Sequence, residues 1–385
     1  MSKLAFTQAE FQRRYNAVRE KVREKGLSAL IVSDNANITY LIGVPAMTAS
    51  GQAQAAIVSA DRDAPYFICR PIDREGAIVN SYASPDDLIG YPEQLIADKE
   101  RTGHDFIFEF VSDLVGGGKV GMEFDALSLS SYRKAETAFG TARIVDMSGT
   151  VNWIRCICSD EEAVIYRQAA KITDAAMETA AAAIRPGVRE CDAAAEIIAA
   201  TVRGVDGYGG DWPYHPEIPT GERIMSPHIS WRDDVYPEQG QVNCELGAWR
   251  YRYVASLART ISLGEPSDGL KRVFAANAEG IETILPMMRS GSVCQDIWRT
   301  YNKIIGKHGY HKESRCGYAL GIEWDGFAAS LADGDETILQ ENMVMHVMIG
   351  LWVNREESCV LSETVRVTEN GPEILGSRPR EIIIC

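Results

Sequence analysis

Apolar positions at steps of three and four open the chain: Phe11, Tyr15, Val18 and Val22 line one face of a segment running from Gln8 to Lys25 and ending at Gly26. That spacing predicts an amphipathic helix. The unbroken apolar run Ala29–Val32 then predicts a buried strand, with further strands at Ala55–Ser59, Pro65–Cys69 and Lys119–Phe124 and helical stretches at Glu93–Phe110 and Leu127–Phe139. Alternation of this kind predicts a small α/β domain. Around 151–159 the pattern changes, and a long helix is predicted from Asp160 to Ile184, ending at Arg185-Pro186-Gly187. Helices at Cys191–Arg203, Leu270–Arg289 and Cys294–His308 follow, with strands at Gln241–Ala248, Tyr253–Leu263, Met343–Leu351 and Leu361–Thr368. Grouping of strands and helices favours an α+β second domain, so the expected division is 1–155 and 156–385. Within that second part, Arg185-Pro-Gly187-Val-Arg-Glu-Cys191-Asp192 is echoed by Arg289-Ser-Gly291-Ser-Val-Cys294-Gln-Asp296. Two structurally related halves would produce this, and so would chance similarity of two inter-helix loops.

Composition narrows the function. The 385 residues carry 39 Lys+Arg against 54 Asp+Glu, a formal charge of −15. No long basic run is present, which argues against nucleic acid or an anionic membrane as partner. The densely charged first thirty residues and the lack of an apolar run near the roughly 20 residues that span a bilayer predict neither leader nor anchor. Nine scattered cysteines predict reduced, mostly buried thiols of a cytoplasmic protein. Cys156-Ile-Cys158 lacks the spacer of a redox or zinc motif and is read as a strand or loop pair, and Val115–Val120 lacks the order of a phosphate loop and is read as a turn.

Candidate chemistry concentrates in the second part. His228, directly after Pro227 and near Trp231, is placed for acid–base work by its near-neutral pKa, and an ordinary surface loop would hold it equally well. Glu245 interrupts an apolar strand, with Asn243 on the same face. A carboxylate there must be paired or its pKa rises, which suits a functional group or an ion pair with Arg250 or Arg252. His346, in a Met-rich strand beside Met348, has the look of a satisfied core histidine, and Glu363 follows in the next strand. No His, Cys or carboxylate spacing among these predicts a metal site.

These strands resemble the creatinase and methionine/proline aminopeptidase superfamily, the pita-bread fold, over nearly the whole chain. Its metallopeptidases hold two metals with Asp, Asp, His, Glu and Glu. Those positions fall on Glu245, Ser256, Tyr318, Met348 and Ser362. The resemblance therefore implies the metal-free branch, which includes creatinase and ectoine hydrolases, and no cofactor. The words Gly204–Asp211, Pro227–Trp231, Leu257–Thr260, His346–Trp352, Ser362-Glu363 and Ile89–Pro92 resemble the ectoine hydrolases. Departures are Gly321–Gly326, Val360, Ala258 and the loop Val44–Gln54, which lacks expected aromatics.

The resemblance implies a homodimeric hydrolase of a small molecule, opening a cyclic amidine of the ectoine type. An amidinohydrolase acting on a guanidino acid and an inactive binding module are the alternatives. Glu245 would hold the amidinium and attack it or position water, and His228 would carry the proton. Glu363 and His346 would orient substrate or water, and Trp231 or Trp352 would stack on the cation. Tyr318, Arg315 and Asp211 complete the expected contacts, with Arg70 or Arg315 as the carboxylate anchor.

Overall fold

The computed structural model describes residues 4–44, 52–212, 215–324, 328–355 and 357–385. Most of the loop Val44–Gln54 and the end of Gly321–Gly326 lie outside the described residues. The chain forms two compact units, Met1–Arg155 and Cys156–Cys385.

In the first unit, strands β1 (Ala29–Val32), β2 (Ala55–Ser59), β3 (Tyr66–Cys69), β4 (Leu88–Gly90), β5 (Val120–Met122) and β6 (Ile144–Asp146) form one sheet in the order β4-β3-β2-β1-β5-β6. Helices α1 (Gln8–Glu24), α2 (Asn35–Ile42), α3 (Pro71–Asn80), α4 (Gly103–Val115), α5 (Leu129–Phe139) and α6 (Thr150–Arg155) accompany it. Helix α1 buries Phe11, Tyr15, Val18 and Val22 as its periodicity predicts. Two differences from the sequence reading have local causes. Glu93–Phe110 is not one helix: a 3₁₀ turn at Glu93–Ile96 is separated from α4, whose true start is set by the Thr102/Asp105 capping box. Helices α2 and α3 were not expected, because α2 is buried almost all round, its polar Asn37 and Thr39 included, and α3 buries only Ala77, so neither shows a stripe.

The second unit is built twice from one plan. Helices α7 (Asp160–Ala183) and α8 (Glu190–Arg203) precede the hairpin β7 (Gly240–Arg250) and β8 (Tyr253–Leu263). Helices α9 (Asp268–Ile284) and α10 (Cys294–Lys307) precede β9 (Tyr318–Ala319), β10 (Val344–Trp352) and β11 (Ser358–Thr368). A β12 (Gly371–Ile374) extends the second sheet to β12-β11-β10-β9, and β13 (Ile383–Ile384) joins the first as β13-β8-β7. The expected helix Leu270–Arg289 stops at Ile284, where Pro286 forces a 3₁₀ turn.

The echoed loops do the same job in each half. Gly187 and Gly291 both have positive φ, 82° and 89°. Gly187 N–H donates to Tyr236 O at 3.0 Å and Gly291 N–H to Leu339 O at 2.8 Å, while Glu190 N–H reaches Asp234 O and Cys294 N–H reaches Thr337 O, each at 2.9 Å. Each half has its own apolar core, one centred on Ile184, Ile197, Val242 and Leu257, the other on Ile281, Ile297, Val347 and Leu361. The halves meet along β8 and β11 through side-chain hydroxyls. Ala258 N–H donates to Ser362 Oγ at 2.7 Å, Ser256 N–H to Thr364 Oγ1 at 2.9 Å, and Thr260 Oγ1 to Val360 O at 3.1 Å. All nine cysteines are free. Among the described residues no helix is long and apolar enough to cross a membrane.

Candidate active site

A cavity of about 520 Å³ opens in the second unit, lined by Glu217, Glu245, His228, Tyr318, Arg315, Arg252 and Glu323 with the indoles of Trp212, Trp249 and Trp324. Glu245 is put there by the two-residue alternation of β7, and Gly247, two residues on, makes room for the neighbouring aromatic wall. A Cβ on Gly247 would sit 2.8 Å from Trp324. The Tyr251-Arg252 turn between β7 and β8 has φ of 49° and 68°, and Glu323 and Trp324 are also left-handed at 66° and 57°. Three of these non-glycine residues, Arg252, Glu323 and Trp324, line the cavity, and backbone in this rare region is of the kind found at binding sites.

Glu217 lies opposite Glu245. Their backbones form an antiparallel bridge, with N–H···O distances of 2.9 Å in both directions, and both residues are only 8% exposed. Burial lifts Glu245 from 4.5 to about 8, the Glu217 carboxylate adds to the rise and Lys312 opposes it. Burial alone lifts Glu217 to about 7. At neutral pH the pair therefore retains a proton, leaving an acid and a base side by side. The alternative of an ion pair for Glu245 is not adopted: Arg252 pairs with Glu323 and lies 4.2 Å from the Trp212 ring, and Arg250 donates to Gly209 O at 3.0 Å.

His228 faces the cavity from an exposed loop that is firmly tied. Buried Glu190 pairs with Arg223 and accepts Arg232 N–H at 2.7 Å, and Arg223 donates to Ser230 O at 3.0 Å. Tyr318 and Arg315 also line the cavity, with the Arg315 guanidinium 4.0 Å over the Tyr318 ring. His346 lies directly behind. Its Nδ1 is 3.0 Å from Tyr318 Oη, its Nε2 is 2.8 Å from Ser362 Oγ, and burial, with Arg315 nearby, pushes its pKa down to about 3. It is a neutral imidazole, as a satisfied core histidine would be.

Other expected residues lie elsewhere. Glu363 is not among the cavity-lining residues: since Ser362 faces His346, the next residue on β11 faces away, and its carboxylate is held by Arg259 at 2.8 Å and Arg380 at 3.5 Å. Trp231 packs on the α7/α8 core and against His215, with centroids 6.5 Å apart. Trp352 stacks near Lys312, whose Nζ is 5.2 Å from its ring. Asp211 ties the β7–β8 turn by accepting Arg252 N–H at 3.0 Å. Arg70 belongs to the first unit, paired with Glu93. The residues missed by sequence reading, Glu217, Trp212, Trp249, Arg252, Glu323 and Trp324, come mostly from loops and strand ends without periodicity.

The sequence profile of the Creatinase/Prolidase N-terminal domain matches residues 14–157, and that of Metallopeptidase family M24 matches residues 164–369, more than half the chain. The chain belongs to metallopeptidase family M24. As an M24 hydrolase of pita-bread fold it is 40% identical to an uncharacterized hydrolase/peptidase, y4tL, of Sinorhizobium fredii, over 98% of this chain and 97% of that one. It is 30% identical to the ectoine hydrolase of Halomonas elongata, over 99% and 98%. Among solved structures, the Xaa-Pro dipeptidase of Bacillus anthracis superposes with a TM-score of 0.82 at 24% identity, over 97% of this chain and all of that one.

The family's metals do not fit the side chains of this M24 chain. At the five positions that resemble the metal ligands, only Glu245 is a carboxylate. The Tyr318 and Ser362 hydroxyls are occupied in hydrogen bonds with Trp324, His346 and Ala258, and Met348 offers a thioether, a poor ligand for hard cations. Among the described residues no three His, Cys, Asp or Glu side chains are grouped to hold a metal ion.

Proposed function

We propose that this protein is a metal-independent hydrolase that opens a cyclic amidine, ectoine or hydroxyectoine, to an N-acetyl-2,4-diaminobutyrate. The observation that carries the reading is the Glu217–Glu245 pair at an aromatic cavity. Two buried carboxylates that share a proton at neutral pH when empty become a complementary seat once a delocalised cation arrives. The indoles of Trp212, Trp249 and Trp324 suit the flat face of that cation, and Arg315 suits its carboxylate. The ectoine hydrolase of Halomonas elongata, at 30% identity over the full length, supports the same substrate class.

In this reaction the ionised member of the pair activates water, whose oxygen bonds to the amidine carbon. The ring C–N bond breaks, and the departing nitrogen takes its proton from the protonated carboxyl or from His228. Water is consumed, and one amide and one amine result. Whether Glu245 itself first bonds to the amidine carbon is separable by ¹⁸O labelling of the carboxylate.

A guanidino acid would place a similar cation against the same pair, so creatine is the informative competitor. The test is turnover, followed by ¹H NMR, of ectoine, hydroxyectoine, creatine and Xaa-Pro dipeptides. Appearance of an acetamide methyl signal from the cyclic amidines is expected. Turnover of dipeptides alone makes the protein a peptidase, turnover of creatine alone an amidinohydrolase, and no turnover with retained ligand binding a binding module.

A further inference from the structure

Ser362, His346, Tyr318 and Trp324 form a continuous hydrogen-bond chain whose directions can be worked out from its ends. At one end, Ser362 Oγ is fully buried and accepts Ala258 N–H at 2.7 Å. Among the described residues the sole acceptor within reach of its own hydroxyl proton is His346 Nε2, at 2.8 Å. A buried hydroxyl proton without an acceptor is disfavoured, so Ser362 donates and Nε2 accepts. The imidazole, neutral in its burial, must then carry its proton on Nδ1 and donate it to Tyr318 Oη at 3.0 Å. At the other end, the indole Nε1 of Trp324 has a proton and no acceptor capacity, and it donates to the same phenolic oxygen at 2.8 Å. Tyr318 Oη thus receives two hydrogen bonds, and its own proton has neither donor as a target.

We infer that Tyr318 is a catalytic hydrogen-bond donor, its O–H aimed into the cavity by His346 and Trp324, with Ser362 fixing the imidazole tautomer. The position that resembles a metal-ligating histidine in the metallopeptidases carries here a directed phenol. Burial and the adjacent Glu245 raise the phenol's pKa, so it keeps its proton and acts by hydrogen bonding. Resting on the proposed amidine hydrolysis, the atom it serves is the oxygen of the attacking water, where negative charge gathers as its proton leaves for the ionised carboxylate and the bond to the amidine carbon forms. His346 and Ser362 are positioning residues.

Two measurements separate this inference from the choice of substrate. In ¹⁵N-histidine-labelled full-length protein, with the His346 resonances identified by their loss in His346→Gln, the ring is expected as the Nδ1–H tautomer. The Nε2–H tautomer overturns the inference whatever the substrate proves to be. In turnover of the compound the wild type processes, Tyr318→Phe is expected to lower kcat by about 10²–10³-fold with KM little changed. Ser362→Ala should lower kcat less, and the double variant should be no slower than Tyr318→Phe alone. An unchanged kcat in Tyr318→Phe, or additive losses in the double variant, overturns the donor role while leaving the amidine reading intact.

Discussion

At the scale of single residues, the proposed chemistry rests on charges the protein makes uncomfortable. Glu245 and Glu217, raised to about 8 and about 7 by burial, keep protons in the folded chain that they lose near 4.5 when unfolded. Between these limits the folded state binds more protons, so the stability linked to them is complete below about pH 4.5 and is lost as pH rises through the folded values. Glu245→Gln removes the titration and keeps the shape. The variant and the wild type are therefore expected to melt at similar temperatures at pH 5, while at pH 9 the variant melts several degrees higher. Thermal melts at both pH values check this, and a wild type that gains on the variant as pH rises would contradict it. The same variant should lose turnover by a factor of 10² or more, the trade expected when a site is built from destabilised groups.

At the scale of elements, what could be read from the sequence was what has a period. Helix α1, helix α7 and the hairpin β7–β8 follow from apolar spacing, and β8 spans Tyr253–Leu263 as expected. The short strands β9, β12 and β13 have two to four residues each, too few to show alternation, and were missed. The site divides in the same way. Glu245 was legible because a carboxylate stood out in an apolar strand, whereas Glu217 sits between Pro216 and Pro219 in a segment that reads as loop, and only the bridge to Glu245 reveals it. Glu363 was misplaced because its neighbour Ser362 takes the inward face of β11, and alternation leaves Glu363 to Arg259. The echoed loops offer a prediction at this scale. Gly187 and Gly291 share a positive φ, and no atom lies within 4 Å of a Cβ built on either, so replacement by Ala meets backbone strain alone. Each substitution is expected to cost about 1–2 kcal/mol in chemical denaturation. Because the two loops belong to different half-cores, the double variant should lose the sum. A loss at one loop only would mean that the two turns are alike in sequence but not in mechanical role.

At the scale of the whole molecule, the M24 frame is kept while four of the five side chains at the positions that resemble its metal ligands are replaced. The same strands that resemble metal-bearing ones present one carboxylate, two engaged hydroxyls, a buried serine and a thioether, and Ser362 and Tyr318 are committed to His346 rather than open for coordination. A net charge of −15 does not alter this, because a divalent cation is held by converging ligands and not by diffuse surface charge. The purified protein is thus expected to contain well under one equivalent of Mn, Co, Fe or Zn by elemental analysis. Its turnover should survive prolonged chelation and gain nothing when those metals are restored. Added divalent metal at high concentration should inhibit if it does anything, by competing with the organic cation for Glu217 and Glu245. Loss of activity on chelation that Mn or Zn reverses would show that metal chemistry persists in this chain through ligands other than the five positions resembling the family set, and would remove the ground for a carboxylate-driven reaction.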